Sequence, residues 1–138
     1  MKKLITLLTV LFCTLMFGAN LASDAQTTGE IAKGNCKSCA ENCQKTLDYC
    51  NDKKGNLGEA SVTNSLKDCV SACKMAADFL NRGTSLQNEA ASLAVHACNN
   101  AAKTCDKFKE DNAMISCANE CRKTIGNCSK LSSKSGGM

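Results

Sequence analysis

Cysteines recur at helical spacing in four successive segments of this chain, and that pattern limits the fold more than any other feature. Take Cys39 as the centre of a helical face. At about 100° per residue, Cys43 lies roughly 40° away, Thr46 about 20° to the other side and Cys50 about 20° away. The frame recurs as Cys69, Cys73, Ala76 and Leu80, then as Cys98, Ala102, Cys105 and Lys109, and finally as Cys117, Cys121, Thr124 and Cys128. A sulfur stripe on each of four helices reads as the lining of a bundle. A free thiol packs like a small hydrophobe, so the stripe can serve as core and as ligand set at once.

The segments around the stripe agree. Proline is absent, so no segment is barred from helix. The spacing predicts a first helix from about residue 35 to Asp52, with Ala32, Cys36, Cys39, Cys43, Leu47 and Cys50 inward. A glycine-containing turn at 53–58 leads to a second helix, Glu59 to Asn81, burying Val62, Leu66, Cys69, Cys73, Ala76 and Leu80. Gly83 suits a helix C-terminus, and Thr84 with Gln87 matches a capping box for a third helix, Ser85 to Lys109. That helix presents Ala91, Ala94, Val95, Cys98, Ala102 and Cys105. The fourth, Asn112 to Leu131, presents Met114, Cys117, Cys121, Thr124 and Cys128. No segment alternates as a strand does. The expected fold is all-α, an antiparallel four-helix bundle with a cysteine-lined core, running up-down-up-down.

Outside the bundle, residues 1–25 read as a secretory signal peptide. Lys2 and Lys3 precede an apolar run from Leu4 to Phe17 and a small-residue cleavage region. That run is shorter than the roughly 20 residues a span requires, and Cys13 within it is lost on processing. Residues 26–34 form a polar lead, 35–131 the bundle and 132–138 a Ser/Gly-rich flexible tail. The expected location is export, to the periplasm or beyond, with no membrane contact after cleavage. Setting aside Lys2, Lys3 and Asp24 takes the formal charge from +4 to +3, too mild and too evenly spread for a nucleic-acid partner.

Eleven of the twelve cysteines follow residue 25, about 10% of the processed chain, a level seen in disulfide scaffolds and metal proteins. Soft thiolates select Cu(I), Zn(II) or iron–sulfur clusters. Cys39/Cys43, Cys69/Cys73 and Cys117/Cys121 stand four apart, where side chains are neighbours on a helix. Cu(I) accepts low coordination and bridging sulfur, so a stripe can hold a row of ions. Zinc wants closed sets of four. Cys36-x2-Cys39 offers half of one, but the remaining linear spacing does not pair off in fours. The metal candidates are Cys36, Cys39, Cys43, Cys50, Cys69, Cys73, Cys98, Cys105, Cys117, Cys121 and Cys128.

At this point the chain resembles the cysteine-rich four-helix-bundle copper storage proteins. The resemblance rests on the repeated C-x3-C stripes, the junction Phe79-Leu80-Asn81-Arg82-Gly83-Thr84-Ser85, and Ser116-Cys117-Ala118-Asn119-Glu120-Cys121-Arg122. It covers about residues 35–129. It implies a thiolate-lined lumen loading several Cu(I) ions, a tetramer of bundles in exported members, and a methionine or histidine ligand near an open mouth. Met114 is the residue that fits the mouth thioether; core filling is its other reading. The frame departs from the family at Thr46, Ala76, Leu80, Ala102, Lys109 and Thr124, where richer members carry cysteine, so the expected capacity is lower.

The rival reading is a disulfide-stapled helical structural or interaction domain with no metal role. An odd count of eleven leaves one thiol unpaired, and cysteines four apart on one helix are poorly placed to bridge each other. Cys36-Lys37-Ser38-Cys39 matches a redox C-x-x-C only superficially, since no strand precedes it. His96 lies about 160° from the stripe and reads as a surface or subunit-contact residue, and Met75 points away. No catalytic set stands out. A binding protein is expected, and not an enzyme.

Overall fold

The computed structural model describes residues 24–133. The signal-peptide reading of residues 1–25, Cys13 included, falls almost wholly outside them, as does the tail beyond Ser133. Four long helices account for the described chain: α1 (Asp24–Lys53), α2 (Ala60–Arg82), α3 (Gln87–Cys105) and α4 (Asn112–Ser132). Each packs on its neighbours in sequence, and α4 closes against α1. With short connections between them, the arrangement is the antiparallel up-down-up-down bundle expected from the stripe. Among the described residues no strand occurs, and no helix is long and apolar enough to cross a membrane.

The first helix begins earlier than the cysteine pattern marked. Residues 26–34, expected as a polar lead, are already helical. Two features extend the helix. Ala32 is fully buried against the core, and Lys33 pairs with Glu30 one turn back at 2.8 Å. Polar composition marked this stretch as a lead, whereas one docked alanine and the absence of proline suffice to prolong α1 through Gly29 and Gly34.

Between α1 and α2 the chain turns through a 3-10 segment, Gly55–Gly58, entered with positive φ at both Lys54 and Gly55. At the far end of α2, Gly83 adopts φ 63°. Its amide donates to the Leu80 carbonyl at 3.3 Å, and the Thr84 amide donates to the Phe79 carbonyl at 3.2 Å. This is a Schellman termination, which needs the left-handed conformation that glycine adopts without strain.

That termination overturns the expected capping box. With its amide committed to Phe79, Thr84 belongs to the end of α2, and α3 starts only at Gln87 with no side-chain cap. The Thr84 hydroxyl oxygen is buried without a partner. At its other end α3 stops at Cys105, leaving exposed Lys109 in the connection. The cap that does form belongs to α4. Asp111 Oδ1 accepts the amides of Ala113 and Met114 at 3.0 and 3.1 Å, satisfying two of the free N–H groups of the first turn.

Small side chains fill the interior. Ala91 and Ala94 of α3 and Ala76 of α2 are fully buried, and Leu66 and Met114 are the bulkiest fully buried side chains. Leu80 and Val95, both expected inside, are only partly buried and pack on the rim of the core. Alanine lets α3 approach its neighbours closely, and sulfur occupies the space between.

Candidate metal centre

All eleven described cysteines are free and buried, and their sulfurs run through the bundle as a continuous line. Cys36 of α1 and Cys128 of α4 meet at one end, 3.2 Å apart. Deeper in, each helix contributes one thiol to a group of four: Cys39, Cys69, Cys98 and Cys121. Within it, Cys39 and Cys69 each lie 3.7 Å from Cys98 and 3.9 Å from Cys121, and 3.9 Å from each other. Cys73 lies beside the group, 3.5 Å from Cys98.

One helical turn along α1, Cys43 joins Cys117 and Cys121 in a group of three, at 3.6 and 3.7 Å. Cys43 also reaches Cys69 at 3.4 Å. Cys105 contacts Cys117 from α3. At the other end of the line, the Cys50 thiol meets the Met114 thioether at 3.6 Å. Met114 is wholly buried, so it caps the sulfur line from within. His96 is exposed and faces a surface groove with Met75, Leu93, Ala72 and Ala97, away from the thiols.

The four-thiol group revises an expectation. Linear spacing gave no set of four, because it compares residues along one helix, whereas the group takes one cysteine from each of four. A metal–sulfur bond of about 2.3 Å in tetrahedral geometry sets sulfur pairs about 3.8 Å apart, close to the spacing found. Of the pairs four apart, Cys39 and Cys43 stand at 4.0 Å, longer than most contacts across the bundle.

Crowding governs the ionisation of these groups. Cys43 and Cys98 are held well above the ordinary thiol range, first by hydrogen bonds in which they serve neighbouring sulfurs as donors, then by burial. Cys36 is pulled down by its contact with Cys128, but its contact with Cys73 and its burial outweigh this and push it up to about 12. Cys128 and Cys105 are raised by Cys36 and Cys117 respectively, with burial adding to each. Cys50 is raised chiefly by burial, with the nearby Asp111 charge second. Cys39 and Cys117 go the other way. Thiols of Cys121 and Cys43 stabilise the Cys39 anion, and those of Cys105, Cys121 and Cys43 stabilise that of Cys117.

Thr46 is buried, and its hydroxyl donates to the Asn42 carbonyl at 2.9 Å. As a sequence feature it read only as a missing cysteine. Thr124, at the equivalent place on α4, is fully buried, and its hydroxyl donates to the Glu120 carbonyl at 3.0 Å. Both threonines turn a hydroxyl back to their own helix, a common way to settle a buried polar group.

A four-helix bundle whose interior is a row of free, closely spaced thiols defines a class of soft-metal-binding proteins. Residues 25–133 match the family model described as copper storage protein, and the chain belongs to that family. No curated protein matches the chain.

Proposed function

We propose that this chain sequesters several Cu(I) ions along its thiol lumen, and that it does so after export from the cytoplasm. The observation that carries the reading is the sharing of Cys121 between the four-thiol and three-thiol groups. With both groups filled, the shared sulfur bridges two ions, and Cu(I) accepts bridging thiolates and low coordination numbers. Loading exchanges thiol protons for metal. Cys50 and Met114 supply a mixed thiol and thioether pair at one end. By resemblance to its family, the chain assembles as a tetramer of bundles.

The spacing of the four-thiol group alone favours a second reading, a single Zn(II) held tetrahedrally by Cys39, Cys69, Cys98 and Cys121. Anaerobic titration of the reduced processed protein with Cu(I), against a chromophoric chelator, separates the two. Uptake of several ions per chain with loss of reactive thiols supports copper sequestration. Uptake of no more than one Cu(I), together with tight stoichiometric zinc binding, supports the alternative.

A further inference from the structure

The Cys36–Cys128 pair lies at one end of the lumen, with Cys73 a further sulfur that acts on Cys36. It has the closest thiol–thiol contact described, 3.2 Å, and neither member belongs to the four-thiol or the three-thiol group. Every other described thiol–thiol contact within 4.0 Å includes at least one member of those groups. Oxidising any of those other pairs would therefore remove a ligand from a group able to hold an ion. Oxidising Cys36 with Cys128 would leave both groups whole.

Geometry also suits the pair to form a bond. The two sulfurs come from different helices, α1 and α4, so they are free of the poor projection of cysteines stacked along one helix. A disulfide bond of about 2.05 Å needs the sulfurs to close by roughly 1 Å, within reach of small side-chain rotations. Leu131 and Ala32 are buried in the same core.

From this separation we infer that Cys36 and Cys128 act as an internal reductant that converts incoming Cu(II) into the Cu(I) held by the other thiols. Two Cu(II) ions each accept one electron. The two S–H bonds break, the S–S bond between Cys36 and Cys128 forms, and two protons leave to solvent. The products are one disulfide and two Cu(I) ions, with nine described thiols and Met114 left as ligands. An external dithiol restores the pair by thiol–disulfide exchange, so the step can recur. This inference rests on the copper-sequestration reading, and its test separates the two.

The test exposes the reduced processed protein, without oxygen, to a substoichiometric amount of a Cu(II) salt. Two readouts follow: Cu(I) formed, measured with a Cu(I)-specific chromophore after denaturation, and disulfides located by mass spectrometry of peptides cut without reduction. The expected result is one Cys36–Cys128 linkage for every two Cu(I) formed. Cys36→Ser and Cys128→Ala, checked for helical content, lose this early reduction, while Ser38→Ala, at an exposed position outside the lumen, keeps it. Linkage that falls on Cys43–Cys69 or is spread among the thiols overturns the inference, and so does Cu(II) left unreduced. Wild-type peptide mapping stands even if a variant fails to fold. A parallel anaerobic titration with Cu(I) reports on sequestration itself, so normal Cu(I) uptake without Cu(II) reduction sinks this inference alone.

Discussion

The Tyr49 hydroxyl donates to Asp111 Oδ2 at 2.8 Å while the other oxygen of the same carboxylate caps α4. One side chain thereby anchors the start of α4 and ties it to α1, at the end of the bundle where Cys50 meets Met114. The same bond, with burial second, holds the Tyr49 proton more tightly than an ordinary phenol.

Asp111→Ala removes the cap and the tie together. Loss of an N-cap costs about 1 kcal/mol, and in a domain of this size that lowers the thermal midpoint by roughly 4–8 °C. Thermal unfolding followed by circular dichroism checks it. Tyr49→Phe keeps the cap and loses only the tie, so its midpoint falls less. Copper capacity, measured by titration, stays unchanged in both.

Cys121 is the sulfur common to the two thiol groups. Cys121→Ala should therefore lower Cu(I) capacity by more than Cys50→Ala, although each removes one cysteine. Equal losses from the two substitutions, in matched anaerobic titrations, would count against a shared bridging ligand.

The empty protein should lose stability in alkali. A thiol whose folded value lies above its ordinary 9.0 stays protonated in the fold while the unfolded chain ionises. Its contribution is complete below pH 9 and is lost as the pH rises through the folded value, about 12 for Cys36. Cys39 and Cys117 are shifted the other way, and their contribution fades as pH falls, but the raised thiols outnumber them. Urea midpoints of the metal-free protein should fall between pH 9 and 12. The copper-loaded protein, whose ligands have already given up their protons, should change less.

Loading itself should acidify the solution. Thiols that are protonated near neutrality release their protons as Cu(I) binds, so apparent affinity rises with pH. Proton release measured at constant pH gives the count, and uptake with no release would mean that the thiols are not the ligands.

Two glycines make a matched comparison. Gly83 holds φ 63° in the Schellman turn, so Gly83→Ala is expected to cost about 1 kcal/mol. Gly126 sits within α4, and an added Cβ there would meet nothing within 4 Å. Gly126→Ala should stabilise by roughly 0.5–1 kcal/mol. Chemical denaturation of the two variants side by side tests both signs.

The four helices and their inward faces were legible because the stripe that lines the lumen is also the hydrophobic period. Cys39, Cys69, Cys98 and Cys121 each stood out on its own helix, but their convergence did not, since it depends on how four helices are set in register against one another. Helix ends were less legible. Thr84 and Gln87 have the residue types of a capping box, yet Gly83 draws the Thr84 amide into the preceding helix. Asp111, the cap that forms, stands just before the expected start of helix four, where Glu110-Asp111-Asn112 places acidic residues. Ala32 stood on the expected inward face, yet the polar residues around it marked 26–34 as a lead and hid the early start of α1. Thr46 was read for the sulfur it lacks, whereas its hydroxyl settles on the Asn42 carbonyl one turn back.

The alanine and sulfur interior described above has little bulk of its own. In such a molecule cargo and core are the same material, and each ion taken up cross-links helices that otherwise touch through small side chains. Filling should stiffen the bundle and emptying should soften it, which makes the depleted form the easier prey for proteases. The lifetime of each molecule is then keyed to how much it carries, and a cell could clear empty containers while sparing full ones with no sensor beyond the fold.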